Sequence, residues 1–93
     1  MEGAVARLRE LTGEEVVLDT NSPYLYIGRL AEVDEWFIRL EDADVHDATE
    51  TRTTKEVYLI EARKYGVKKN RLSVLVRADK VISASRLSEV IEY

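Results

Sequence analysis

Ninety-three residues, 34% charged and 45% hydrophobic, fit one domain of below-average size and a globular rather than a disordered chain. The absence of cysteine excludes disulfides and thiolate metal sites and suits a reducing cytoplasm, the expected location. A net charge of −4 argues against strong, general affinity for phosphate backbones, because proteins built for that task usually carry net positive charge.

That charge is unevenly placed. Residues 1–50 hold 4 Lys and Arg against 13 Asp and Glu, or −9, while residues 51–93 hold 10 against 5, or +5. In one small domain this predicts an acidic face and a basic face. No apolar run approaches the ~18–20 residues of a membrane span. Met1-Glu2-Gly3-Ala4 lacks the basic and apolar regions of a signal peptide, so no membrane partner is expected.

Val5, Leu8 and Leu11 fall three apart, which predicts a short helix over residues 4–11, ended by Thr12-Gly13. Glu15 to Thr20 reads as a strand centred on Val16-Val17-Leu18, and Asn21-Ser22-Pro23 as a turn. A second strand runs from Tyr24 to Val33. Its apolar phase slips after Gly28, which predicts a bulge or sharp bend of the kind a small barrel needs. Asp34-Glu35 reverses the chain into a third strand, Trp36 to Val45, in which Trp36, Ile38 and Leu40 alternate with Phe37, Arg39 and Glu41. The second and third strands therefore look like a hairpin.

Residues 46–53 read as a polar connection. Thr53-Thr54-Lys55-Glu56 matches a capping box, with Thr53 as the cap, and opens a helix over residues 54–65 that Gly66 closes. The competing reading is a strand from Glu56 to Ala62. After the basic turn Val67-Lys68-Lys69-Asn70, a fourth strand turns Leu72, Val74 and Val76 inward. A fifth runs from Val81 to about Leu87, followed by a tail to Tyr93.

The stretch from Arg71 to Ser85 closely resembles the second motif of the Sm/LSm family, where a strand ends in Arg-Gly and a turn leads into the last strand. Gly13 followed by Val16, Gly28, and Leu40-Glu41-Asp42-Ala43 resemble further landmarks of that family. The resemblance covers roughly residues 5–43 and 71–87, and residues 44–70 have no typical counterpart. It implies a mainly β fold: a small, strongly bent, five-stranded antiparallel barrel with an N-terminal helix and an inserted helix between strands three and four. One such domain would span residues 1–93, and five to seven copies would close a ring by joining edge strands. Single-stranded RNA would bind at the pore. Asp34 matches the aspartate of the first pore loop and Arg77 the arginine of the second. Phe37 stands where the family has asparagine, and Ala78 where it has glycine. Asp34 to Leu40 is similar to the bacterial Hfq type, whose loop is aromatic and aliphatic, although the second motif lacks that branch's Tyr-Lys-His. The chain thus resembles a divergent bacterial-type Sm-like protein.

On this reading Asp34, Phe37, Arg77, Ala78 and Lys80 form the pore site. Arg77 stacks on a base or bonds a phosphate, held by Asp34. The alternative is that Asp34 and Arg77 form a structural ion pair at a subunit interface. Phe37 and Trp36 are candidate stacking platforms. The alternative is that both rings fill the core or an interface, the reading favoured for Trp36. Lys64, Lys68, Lys69 and Arg71 could track phosphates, or form a solvated face. Asp42, Asp44 and His46 alternate along one strand face, with Asp47 and Glu50 beyond. An exposed polar face accounts for them better than a metal site. No glycine-rich phosphate loop or catalytic constellation surrounds the single histidine, so neither an enzyme nor a cofactor is expected. A ring that has lost RNA binding and serves as a scaffold is the competing function.

Overall fold

The computed structural model describes residues 2–50 and 53–92; Met1, Thr51 and Arg52 of the polar connection, and Tyr93 of the tail, lie outside the described residues. The elements run α1 (Glu2–Arg9), β1 (Glu15–Thr20), β2 (Tyr24–Val33), β3 (Phe37–Asp47), α2 (Lys55–Tyr65), β4 (Arg71–Arg77) and β5 (Val81–Arg86). Single 3-10 turns at Ala78–Lys80 and Leu87–Glu89 follow the last two strands. α1 stops earlier than the expected Leu11. The Thr12 hydroxyl donates to the Arg9 carbonyl at 2.8 Å, and Gly13 then takes a φ of +89° that only glycine adopts freely.

The five strands form one antiparallel sheet in the order β4-β3-β2-β1-β5. β4 and β5 are consecutive in the chain yet lie at opposite edges, joined by a 3-10 turn of three residues. Four strand spacings across a flat sheet amount to about 19 Å. Four residue steps reach at most about 14 Å fully extended, and less in a 3-10 turn. The sheet must therefore roll until its edges approach, which gives the bent barrel that the sequence predicts.

The bend sits where β2 meets β3. Ile27 pairs with Asp44 and Arg29 with Glu41, so Gly28 faces two residues, Asp42 and Ala43. Asp42 takes a φ of +49°, the left-handed conformation that aspartate tolerates better than most residues. A Cβ on Gly28 would lie 3.0 Å from the Ala43 Cβ and 3.2 Å from the Glu41 carbonyl oxygen. The two strands cross so closely there that only glycine fits against a small partner. A second slip leaves Ala31 unpaired, and a third lies between Asp19 and Thr20 of β1 where β5 pairs with it.

Rolling the sheet creates two cores. Inside the barrel lie Val16, Leu18, Leu30, Val33, Ile38, Leu40, Ala43 and Val76, with Val5, Leu8 and Leu11 of α1 packed against them. On the other face Val17, Leu25 and Ile27 are covered by Ala62, Tyr58 and Leu59 of α2 and by Leu87. The insert between strands three and four is thus a helix, not a strand. Its cap is Thr54 rather than Thr53: the Thr54 hydroxyl accepts from the Val57 N–H at 3.2 Å. Gly66 closes it with a φ of +90°. Lys55 pins its first turn by donating to Asp19 at 2.5 Å and to the Ser22 carbonyl at 2.8 Å.

Leu72 departs from expectation. It shares the parity of Val74 and Val76, but it lies beyond the barrel core and is exposed. Asp44 and His46 depart in the opposite direction. The slip at Asp42 resets the alternation, so both are buried, beneath Tyr58 in the case of His46. The expected acidic and basic faces are interleaved at three places, where Lys55–Asp19, Lys69–Asp42 and Arg86–Glu14 join the acidic half to the basic half.

Gly28→Val places side-chain atoms inside the contact with Ala43. It should lower stability by about 1–3 kcal/mol, seen as a lower urea midpoint with an unchanged m-value at fixed protein concentration.

Candidate nucleic-acid interface

The reversal between β2 and β3 is built by one carboxylate. Asp34 Oδ1 accepts from the backbone N–H groups of both Trp36 and Phe37 at 2.8 Å, and the Asp34 N–H donates to the Phe37 carbonyl at 2.9 Å. These two bonds to the charged form hold the Asp34 carboxyl below its ordinary range, with a smaller contribution from the nearby Arg9 guanidinium. The tight turn removes Trp36 from the strand. β3 begins at Phe37, and Trp36 does not join Ile38 and Leu40 in the core: it is 70% exposed, and Phe37 is 43% exposed.

The end of β4 meets this turn. Phe37 and Arg77 are direct cross-strand partners, which places their side chains on one face. The Ala78 N–H donates to the Trp36 carbonyl at 2.9 Å, bolting the second loop to the first. Ala78 opens a right-handed 3-10 turn, so glycine is not required there. Asp34 does not hold Arg77. The Arg77 guanidinium donates instead to Asp79 at 2.8 Å, two residues along the same turn.

Two hollows flank Arg77. One, of about 450 Å³, is lined by Glu35, Trp36, Phe37, Arg77 and Asp79. The other, of about 360 Å³, includes Tyr26, Leu75, Arg77 and Lys80 along its wall. The Lys80 ammonium has no ion-pair partner among the described residues. Aromatic rings on one side of a guanidinium and a free ammonium on the other can take a base and the phosphate that follows it. The sequence reading missed Glu35, Tyr26 and Asp79. Asp79 had a signal, being the only acid in the turn that follows Arg77.

No family model matches the sequence, and no curated protein does either. Among solved structures, the chain is similar to the Sm protein of Pyrococcus abyssii in complex with a uridine heptamer. The TM-score is 0.59 at 18% identity, over 87% of this chain and 93% of that one. The chain has the Sm fold.

Within this Sm fold the remaining predicted residues lie elsewhere. Arg71 begins the strand that Arg77 ends, so the two are about 20 Å apart. Lys64 is exposed in the last turn of α2, and Lys68 is exposed in the basic turn beyond it. Lys69 is paired with Asp42 at 3.2 Å. This basic group therefore does not join the Phe37–Arg77 site. The Asp42–Asp44–His46 row does not converge on a metal either. Asp42 is paired with Arg29 at 2.9 Å, and Asp44 accepts from Asn70 at 3.1 Å. His46 stacks on Tyr58 at 3.9 Å between ring centroids. No group of three or more potential ligands exists among the described residues. Burial pushes the Asp44 carboxyl above its ordinary range, against the smaller opposing influence of His46 and Lys68.

The depressed Asp34 carboxyl gives a pH test. A group whose folded pKa is lowered contributes stability above its unfolded value, near 3.8, and loses it as pH falls through the folded value. The gap in urea midpoint between wild type and Asp34→Ala should be constant above about pH 5 and should shrink as pH falls through and below about 3.8.

Proposed function

We propose that this protein binds single-stranded RNA at the Phe37–Arg77 site and assembles as a cyclic ring of five to seven copies. The observation that carries the first half is the cross-strand pairing of an exposed phenylalanine with an arginine, beside an exposed tryptophan. Exposed rings are stacking platforms for unpaired bases, worth about 1–3 kcal/mol per base. Arg77 and Lys80 supply donors for phosphate. Asp34 and Ala78 hold the two loops in register through backbone bonds. Lys64, Lys68, Lys69 and Arg71 are a separate, weaker contact for a strand that continues about 20 Å along β4. The similar Sm protein was solved with a uridine heptamer, which favours the same ligand class here.

The ring rests on the sheet edges. β4 and β5 each have a neighbour on one side only, and they carry the exposed apolar side chains Leu72, Leu75 and Ile82. Unpaired strand edges of this kind are covered in stable proteins. The neighbour that suits them is another copy, with β4 of one joined head-to-tail to β5 of the next. Light scattering should then give five to seven times the 10.7 kDa chain mass. Leu72→Lys with Leu75→Lys should move the mass towards one copy, and a monodisperse wild-type monomer at micromolar concentration would refute the ring.

A scaffold ring without RNA is the second reading, and the carboxylates of Glu35 and Asp79 beside the aromatic hollow favour it. No catalytic role is proposed: the single histidine is stacked beneath Tyr58 rather than presented to a cleft. No helix of the described residues is long and apolar enough to cross a membrane, and a cytoplasmic location is part of the proposal.

Fluorescence anisotropy with labelled single-stranded RNA separates the two. Submicromolar binding that falls as salt rises supports the first reading. Trp36→Ala and Phe37→Ala should each weaken it by about 5- to 150-fold, the equivalent of one stacked base, and Arg77→Ala should weaken it and flatten its salt dependence. No binding at low salt leaves the scaffold reading.

A further inference from the structure

The polar groups in the wall of the base-side hollow bear on which base it takes. Its rings are those of Trp36 and Phe37, and neither is paired with another aromatic ring among the described residues. Its remaining wall is Arg77 and two carboxylates, Glu35 and Asp79. Asp79 already accepts from Arg77 at 2.8 Å. Glu35 is exposed, and it has no hydrogen-bond or ion-pair partner among the described residues. An ionised carboxylate is an acceptor only.

The four RNA bases differ in what they offer such an acceptor. Adenine and cytosine present an exocyclic amine at the edge that pairs, and guanine presents one beside its ring N–H. Uracil has no amine. Its one ring N–H lies between two carbonyl oxygens, so a carboxylate that reaches the N–H also meets a carbonyl of like partial charge. Purines also cover more of an aromatic platform than pyrimidines do, which strengthens stacking on Trp36 and Phe37.

We infer that this site selects purine bases bearing an exocyclic amine over uridine, with Glu35 accepting from that amine and Trp36 and Phe37 stacking the ring. The inference rests on the RNA-binding reading above and narrows its substrate class.

The test uses the full chain and three labelled heptamers, of adenosine, cytidine and uridine, titrated at one salt concentration. Adenosine should bind about tenfold tighter than uridine, the discrimination that one good contact to a base edge confers. Cytidine, which has the amine but the smaller ring, should fall between them. Glu35→Gln removes the charge and adds two donors that suit a uracil carbonyl, so it should weaken adenosine binding, strengthen uridine binding and bring the adenosine-to-uridine ratio towards one. Uridine binding as tightly as adenosine, with Trp36→Ala still weakening both, overturns the inference and leaves the RNA site standing. An unchanged ratio in Glu35→Gln overturns the role of Glu35. Failure of all three heptamers to bind overturns the RNA-binding reading and this inference together.

Discussion

The rest of the molecule depends on the contact between Gly28 and Ala43. The short link between β4 and β5 requires a rolled sheet, and a sheet rolls only if its long central hairpin bends. The bend is a close crossing, 3.0 Å from a virtual Cβ on Gly28 to the Ala43 Cβ, with an extra residue absorbed at Asp42. The positive φ of Asp42 is a local strain. It persists because the surroundings over-determine it: Arg29 and Lys69 both hold its carboxylate, and Ala43 is fully buried on one side of it.

The same bend decides what the outer face carries. Beyond the slip at Asp42, β3 turns Asp44 and His46 out of the barrel and under α2. Polar groups buried there need partners, and they have them: Asn70 reaches back from the start of β4 to bond Asp44 and the Val45 backbone on both sides. The insert is therefore part of the fold. It supplies a lid of Ala62, Leu59 and Tyr58 over an apolar patch of β1 and β2 that a bare barrel would expose.

Much of this was legible in the residues. The period-two alternation of β2 and β3, the phase break at Gly28 and the glycine after α2 each point to one structure, because local propensity and the global fold agree there. The misreadings share a cause. Trp36 alternates correctly with Ile38 and Leu40, but the aspartate turn makes the strand start one residue later than alternation suggests. Asp44 and His46 look like an exposed row only if the strand is straight. Motif positions suggest an Asp34–Arg77 pair, whereas each residue has a nearer partner: Asp34 accepts from two backbone N–H groups, and Arg77 donates to Asp79 two residues away. Hydrogen bonds within a turn need little chain ordering beyond the turn itself, and a periodicity argument does not see them.

The charge distribution then constrains how this loop site can act. Many cations in the chain are already matched: Lys55, Lys69 and Arg86 pair with carboxylates of the acidic half, and Arg29 and Arg39 with acids of neighbouring strands. Lys80, which lines the hollow on the other side of Arg77, has no ion-pair partner among the described residues, and Arg77 shares its charge with Asp79. Apart from the part-buried Lys55, these groups are solvated, so each contributes little and is screened by salt. A polyanion held there by charge alone would be held weakly on a chain of net −4. Stacking on Trp36 and Phe37 does not depend on net charge, and it strengthens as more ring area leaves water. On the proposed RNA-binding reading, the aromatic pair would therefore be the main source of affinity and the guanidinium would orient what is stacked.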